Sequence, residues 1–489
     1  MTAHATRRPP LAPLAALVGA VAIALATQLG ALLPAGDPLG LEEPLLDVVP
    51  AEDGDVGDPS AFEPIDPFAP IEPFDPAAEL AGVREDVAFW AARVEADARD
   101  IVAAVKLAEA DLAEARLTGD ATAYLRAQDA VDLALATQPA YEPALALRAT
   151  VLVSLHRFPE ARDTARAILA TTPDDPTALG VVGDASLELG DLATAGAAYQ
   201  HLGLIGGGAA AEVRASRLAF VRGAPASAVN GARAAVAAAA DDGLEGGELA
   251  FYHVTLGELL VATGDAHGAR DAFEAALAAR PQLPSALAGI ARLDAYEGDL
   301  DAAIAGLDAA IAAIPLPEWL ARRADLLDLR ARAGDAALAD GDAALAAGDA
   351  ALAEADRATV EAIAGLAGDA SRVYDRGLSL YLSDHGLDPD RAVRLAAAEL
   401  EVRRDLYGFD AFAWALFNAG RPAEAEEPMA AALAEGTRDA RLWYHAGLIA
   451  AANGRSDEAR AFLADALGLG PALDPVSRAR AEAALELLR

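Results

Sequence analysis

The sequence predicts an all-α protein in which helix-turn-helix units stack side by side into an elongated superhelical solenoid. Three observations predict it. The chain of 489 residues exceeds a single compact domain. Its hydrophobic content of 54% includes only 5% aromatic residues, and the excess is alanine, the best helix former and small enough to let helices pack closely. A sheet would draw instead on β-branched and aromatic residues. Finally, prolines recur at a spacing of 34 residues, from Pro139 to Pro173 and again from Pro281 to Pro315, and a fixed period of that size marks a repeat array.

Residues 1–33 read as a signal peptide or a transmembrane anchor. Arg7 and Arg8 precede an uncharged apolar stretch from Leu11 to Leu33, long enough at about 1.5 Å per residue to cross a hydrocarbon core. No further basic residue follows until Arg84, while Asp37, Glu42, Glu43 and Asp47 intervene. That asymmetry predicts a cytoplasmic N-terminus and an extracytoplasmic remainder. Two fates stay open: Ala24-Leu25-Ala26 is a small-x-small cleavage site, yet the apolar run continues through Leu33 as an anchor would. Residues 34–78 are acidic and proline-rich, with the near-repeats Pro64-Ile65-Asp66-Pro67-Phe68 and Pro70-Ile71-Glu72-Pro73-Phe74. They read as a disordered linker that holds the folded part away from the membrane.

Residues 79–489 carry the array. With Ala250 as position 1, Leu256-Gly257 falls at 7 and 8, Gly264-Asp265 at 15 and 16, Ala269 at 20, Phe273 at 24 and Pro281 at 32. Small residues at 8 and 20 let two antiparallel helices approach, large ones fill the layer between them, and Gly-Asp makes the turn. Units from Pro176, Pro284 and Ala440 keep the phase through Gly183 and Gly190-Asp191, Ala291 and Gly298-Asp299, and Gly447 and Leu463. Weaker units fill the gaps, which gives about ten in all. The set resembles the tetratricopeptide repeat, and the resemblance implies a right-handed superhelical solenoid whose first helices line a concave groove. Glu79 to Val105 reads as a helix that caps or begins the array, and the amphipathic stretch from Pro475 to Arg489 caps its other end. Between Gly334 and Ala353 the sequence Gly-Asp-Ala-Ala-Leu-Ala recurs every seven residues, which reads as an alanine-rich helical insertion of low complexity. The chain is also similar to a family of exported actinobacterial repeat proteins of uncharacterised role, through Glu114-Ala115-Arg116-Leu117-Thr118-Gly119-Asp120, Asp410-Ala411-Phe412-Ala413-Trp414-Ala415-Leu416 and Tyr444-His445-Ala446-Gly447. That likeness implies a surface location and supplies no reaction.

A net charge of -38, from 76 acidic and 38 basic residues, argues against nucleic acid as a partner, because binding a phosphate backbone depends on clustered Lys and Arg. With no cysteine there is no disulfide framework, thiolate metal site or cysteine nucleophile. No two of the seven histidines stand four apart as a helical metal pair requires. Neither a nucleophile elbow nor a dinucleotide fingerprint occurs. The sequence therefore predicts no enzyme, no cofactor and no metal.

Function is expected in the groove. The resemblance puts positions 2, 5, 6, 9, 12 and 13 of each first helix on that surface. There they select Tyr374, Tyr381, Asp384 and His385 in one unit, Tyr407, Asp410, Trp414, Phe417 and Asn418 in the next, and Tyr444 and His445 in the last. Aromatics are scarce in this chain, so their concentration on one face marks a site for a protein or peptide partner. Packing between helices is the competing role, since core and interface aromatics look alike in sequence. The expectation is an exported or membrane-anchored scaffold. The alternative is a hydrolytic enzyme of the cell envelope that uses His385 and Asp384 in the same groove.

Overall fold

The computed structural model describes residues 74–119, 121–337, 340–364 and 375–489; the N-terminal apolar segment and nearly all of the linker lie outside them. Among the described residues there are 22 α-helices and no strand. They are α1 (Pro76–Ala96), α2 (Ile101–Thr118), α3 (Ala121–Thr137), α4 (Glu142–Ser154), α5 (Phe158–Thr171), α6 (Pro176–Glu188), α7 (Leu192–Leu204) and α8 (Gly208–Val221). Next come α9 (Pro225–Asp241), α10 (Gly246–Ala262), α11 (Ala266–Ala279), α12 (Pro284–Glu297), α13 (Leu300–Ala313), α14 (Pro317–Ala337) and α15 (Asp340–Ala364). The chain ends with α16 (Asp375–Asp384), α17 (Pro389–Val402), α18 (Leu406–Asn418), α19 (Pro422–Ala432), α20 (Ala440–Ala452), α21 (Ser456–Gly468) and α22 (Pro475–Leu487). From α2 to α21 they pack as successive pairs, with α1 docked on the first pair and α22 on the last. The molecule is the all-α solenoid that the repeat period predicts.

The pair formed by α10 and α11 shows why the sequence folds this way. Gly264 closes α10 in the left-handed region, at φ 87°, where a side chain would be strained. Asp265 then caps α11 by accepting from the Gly268 backbone N–H at 2.9 Å. Asp191 and Asp299 do the same at 3.0 Å in their own units. Inside the pair, a Cβ on Gly257 would stand 2.6 Å from the ring of Phe273, so the aromatic fills the space that the missing side chain leaves. Ala269 opposite is fully buried. These are the tight contacts that positions 8, 20 and 24 predict.

The seven-residue repeat has a more definite role than a low-complexity insertion. It contributes the end of α14 and the first part of α15, which runs antiparallel to α14 as a long hairpin. Arg323 and Arg330 stand seven apart on α14; Asp356 and Asp349 stand seven apart on α15. Arg323 reaches Asp356 through two bonds of 2.9 and 2.6 Å, and Arg330 reaches Asp349 through two of 2.9 and 2.8 Å. Such forked pairs fix the register of the hairpin.

The solenoid comes back onto itself. Arg280 pairs with Glu79 at 2.6 Å, 201 residues away. Arg403 pairs with Glu188 across 215 residues, and the Thr437 hydroxyl donates to the Val221 carbonyl across 216, about six 34-residue units, which is one superhelical revolution. Between those points backbone meets backbone: a Cβ on Gly190 would stand 2.5 Å from the Arg404 carbonyl oxygen, and one on Gly223 would stand 2.3 Å from that of Gly436. Side chains from α2 to α4 share one apolar cluster with side chains from α12 to α15. The first turn therefore rests on the second along a seam.

Candidate functional site

Successive first helices α16, α18 and α20 lie side by side near the C-terminus, with α22 packed against α20. Trp414, in α18, is their hub. Its indole lies parallel to the His445 imidazole with centroids 4.0 Å apart, stacks on Phe417 at 5.1 Å and meets Tyr444 at 5.6 Å. Its Nε1 donates to Asp384 Oδ1 at 2.7 Å. His445 Nδ1 lies 2.7 Å from Asp410 Oδ1, and Arg441 Nε stands 3.6 Å from the other oxygen of that carboxylate. Arg480 on α22 donates to the Asp384 backbone carbonyl at 3.1 Å. The arrangement follows from the repeat: Asp384 precedes Trp414 by 30 residues and Asp410 precedes His445 by 35, so each unit's large polar or aromatic side chain reaches a carboxylate on the unit before it.

Low exposure sets the electrostatics. Burial raises the Asp384 carboxyl above its ordinary value, against the opposing pull of His445 and of the Trp414 N–H. Burial pushes the Tyr444 hydroxyl up to about 12, with the Arg480 guanidinium opposing. Burial also raises the Tyr407 hydroxyl, helped by the Asp439 carboxylate to which it donates at 3.4 Å. For His385, burial works against protonation, but a 3.0 Å bond to Asp325 and that group's charge outweigh it and raise the imidazole.

The structure sorts the residues expected in the groove. Trp414, Tyr444 and His445 are each about 1% exposed, so they pack between helices instead of facing open solvent. Each is large enough to bridge one first helix to the next, and the bridging excludes water from them all. Tyr381 is also buried and lies against the His385 ring at 4.6 Å. Half-buried are His385, Tyr407, Phe417 and Asn418, the last of which donates to the Trp414 carbonyl at 2.9 Å. Tyr407 stands in the first turn of α18, away from the stack around Trp414. Tyr374 lies outside the described residues. His385 and Asp384, the pair a hydrolytic reading needs, point to different partners: His385 to Asp325, Asp384 to Trp414. Position counting along single units misses Asp325 and Arg480, which reach the site from 60 and 96 residues away. Asp384 and Asp410 are legible in the sequence as groove positions of their units; their pairing with a side chain of the next unit is not, because position within one unit does not give it.

Residues 146–202 and 411–474 match the family model of the tetratricopeptide repeat. The two stretches together make up well under half of the chain, and the second contains the Trp414 cluster. Repeats of this kind stack into protein-interaction scaffolds with extended concave surfaces. No curated protein matches the chain. Among solved structures, a tetratricopeptide repeat protein from Parabacteroides merdae is 18% identical, covering 58% of this chain and 99% of its own, with a TM-score of 0.30. PilW, a type IV pilus biogenesis factor, is 18% identical over 47% of this chain and 96% of its own, with a TM-score of 0.35. A human IFIT1 dimer with PPP-AAAA is 12% identical over 81% of this chain and 86% of its own, with a TM-score of 0.41. Among the described residues no helix is long and apolar enough to cross a membrane; the segment from Leu11 to Leu33 is not among them.

Proposed function

We propose that this chain is a scaffold, exported or held at the membrane by its N-terminal segment, that binds a protein or peptide partner on the first helices of its C-terminal units. One observation carries the reading: half-buried Phe417 and Asn418 are fixed from below by Trp414, which is itself held by Asp384, His445 and Tyr444. An aromatic that loses little freedom on binding makes an effective anchor. The buried residues supply rigidity, and Phe417, Asn418, Tyr407 and His385 supply contact. Acidity favours partners with basic segments.

The test is capture of partners from the producing cell by the full chain, followed by direct binding measurements on purified partners. Phe417→Ala is expected to weaken binding by about tenfold or more, the scale of a central anchor, while lowering the melting temperature less than Trp414→Ala does, since the ring is half-buried on Trp414. Unaltered affinity in Phe417→Ala and Tyr407→Ala would move the site elsewhere. Export has its own test: alkaline phosphatase fused after Pro76 is expected to be active in a bacterial host, and an inactive fusion in the soluble cytoplasmic fraction would refute it.

A further inference from the structure

The seam between the two turns carries a cross-turn ion pair inside a dense group of buried charge. Glu188 ends α6, Arg403 follows α17, and both are nearly fully buried where they meet. Each also has partners on its own turn. Glu188 accepts from Arg217 of α8. Arg403 lies 2.9 Å from Glu399, while Arg376 reaches Asp405 at 2.9 Å and Glu399 at 3.2 Å. The charges therefore divide into two neutral sets: Glu188 with Arg217 on the first turn, and Glu399 and Asp405 with Arg376 and Arg403 on the second.

That division matters because the large cost of breaking a buried ion pair comes from leaving one charge alone in the interior. Parting this seam leaves none alone. The same group holds polar atoms that are buried without a hydrogen-bond partner: Arg217 Nη1, Arg376 Nε, Arg403 Nε and both ring nitrogens of His156. His156 stacks on Phe158, over whose ring the Arg403 guanidinium lies at 4.9 Å. Opening the seam would hydrate these atoms and offset part of its cost. Closure is favoured by apolar side chains of both turns that share one cluster, Leu187, Leu218 and Val221 with Leu406, Leu416 and Leu442, and by the bond from Thr437 to Val221.

We propose that the Arg403–Glu188 pair is a releasable latch, and that the solenoid opens and closes along this seam with each turn keeping its own folded units. The device is independent of what the first helices bind.

The chain has no cysteine, so two introduced thiols report the seam unambiguously. Ser227→Cys and Glu435→Cys, both exposed and close in sequence to the contact between Gly223 and Gly436, would carry spin labels in the full chain for pulsed dipolar distance measurement. In the otherwise unaltered chain the distribution is expected to be dominated by a short distance. Arg403→Met is expected to raise the long-distance fraction at least threefold with the helical circular dichroism unchanged, and Arg403→Lys to raise it less. An unchanged distribution in both variants overturns the latch. So does a long distance that appears only together with lost helicity, because the seam is then ordinary core. Should Arg403→Met lose its helices, Arg403→Lys decides alone: a longer distance with full helicity supports the latch, and anything else overturns it.

Discussion

Trp414 shows how much a single side chain carries in an alanine-rich solenoid. Its ring spans three first helices, so truncation removes packing and also leaves Asp384 without its donor. Trp414→Ala is expected to cost about 3–5 kcal/mol of stability. Trp414→Phe, which keeps a ring but loses Nε1, is expected to cost less, about 1–3 kcal/mol. Chemical denaturation of the two variants checks the order. This residue and its neighbours are legible in sequence because aromatics are rare and the repeat assigns them a face. Floor and surface are not separated there, because Trp414 and Phe417, three residues apart on one helix, differ only in what the next unit puts over them. His385 adds a pH effect. Its folded pKa is raised by Asp325, so the pair contributes fully below the unfolded value of about 6.5 and is lost as pH rises through the folded value. The melting temperature is expected to fall over that rise, and His385→Gln to flatten the fall; parallel pH profiles for the two proteins would deny the pair this role.

At the level of elements, the pairing of a missing side chain with a large one is the recurring device. Gly257 faces Phe273 and Gly183 faces Tyr199, where a Cβ would fall within 2.6 and 2.2 Å of the ring. Gly257→Leu is expected to destabilise by about 1–3 kcal/mol or more through overpacking. Glu258→Gln is expected to cost under about 1 kcal/mol, since its pair with Arg292 is partly exposed. Equal losses would mean that the tight contact lies elsewhere. The α14–α15 hairpin makes a second expectation. Asp356→Ala strips Arg323 of its two-bond partner and leaves only Asp308, at an expected cost of about 1.5–3 kcal/mol, the scale of hydrogen bonds to charged groups. Helix ends, turns and tight contacts were legible because Gly-Asp and the small positions act within one unit. The hairpin was half legible: the seven-residue repeat that contains Asp349 was visible, but Asp356 lies beyond it, the partners Arg323 and Arg330 belong to α14, and no local pattern links the two helices.

For the whole molecule, the 34-residue period is enough to predict a solenoid, because each helix pair needs a neighbour to cover its apolar face. It does not predict that the solenoid closes on itself. Glu79 meets Arg280, Glu188 meets Arg403 and Val221 meets Thr437 across more than 200 residues, and contacts at that separation depend on the accumulated twist of all the units between them. Gly190 and Gly223 illustrate the limit: both have positive φ after a helix, which a local turn explains, and both also make room for the backbone of the other turn. The seam sets how the two turns sit together, and the proximity of residues across it can be measured. Arg222→Cys and Arg438→Cys place exposed thiols beside Val221 and Thr437 in a chain with no other cysteine. A short bis-maleimide is expected to join them rapidly within single folded chains, and only slowly after denaturation. Cross-linking no faster in the folded protein than in denaturant would contradict a solenoid whose first turn rests on its second.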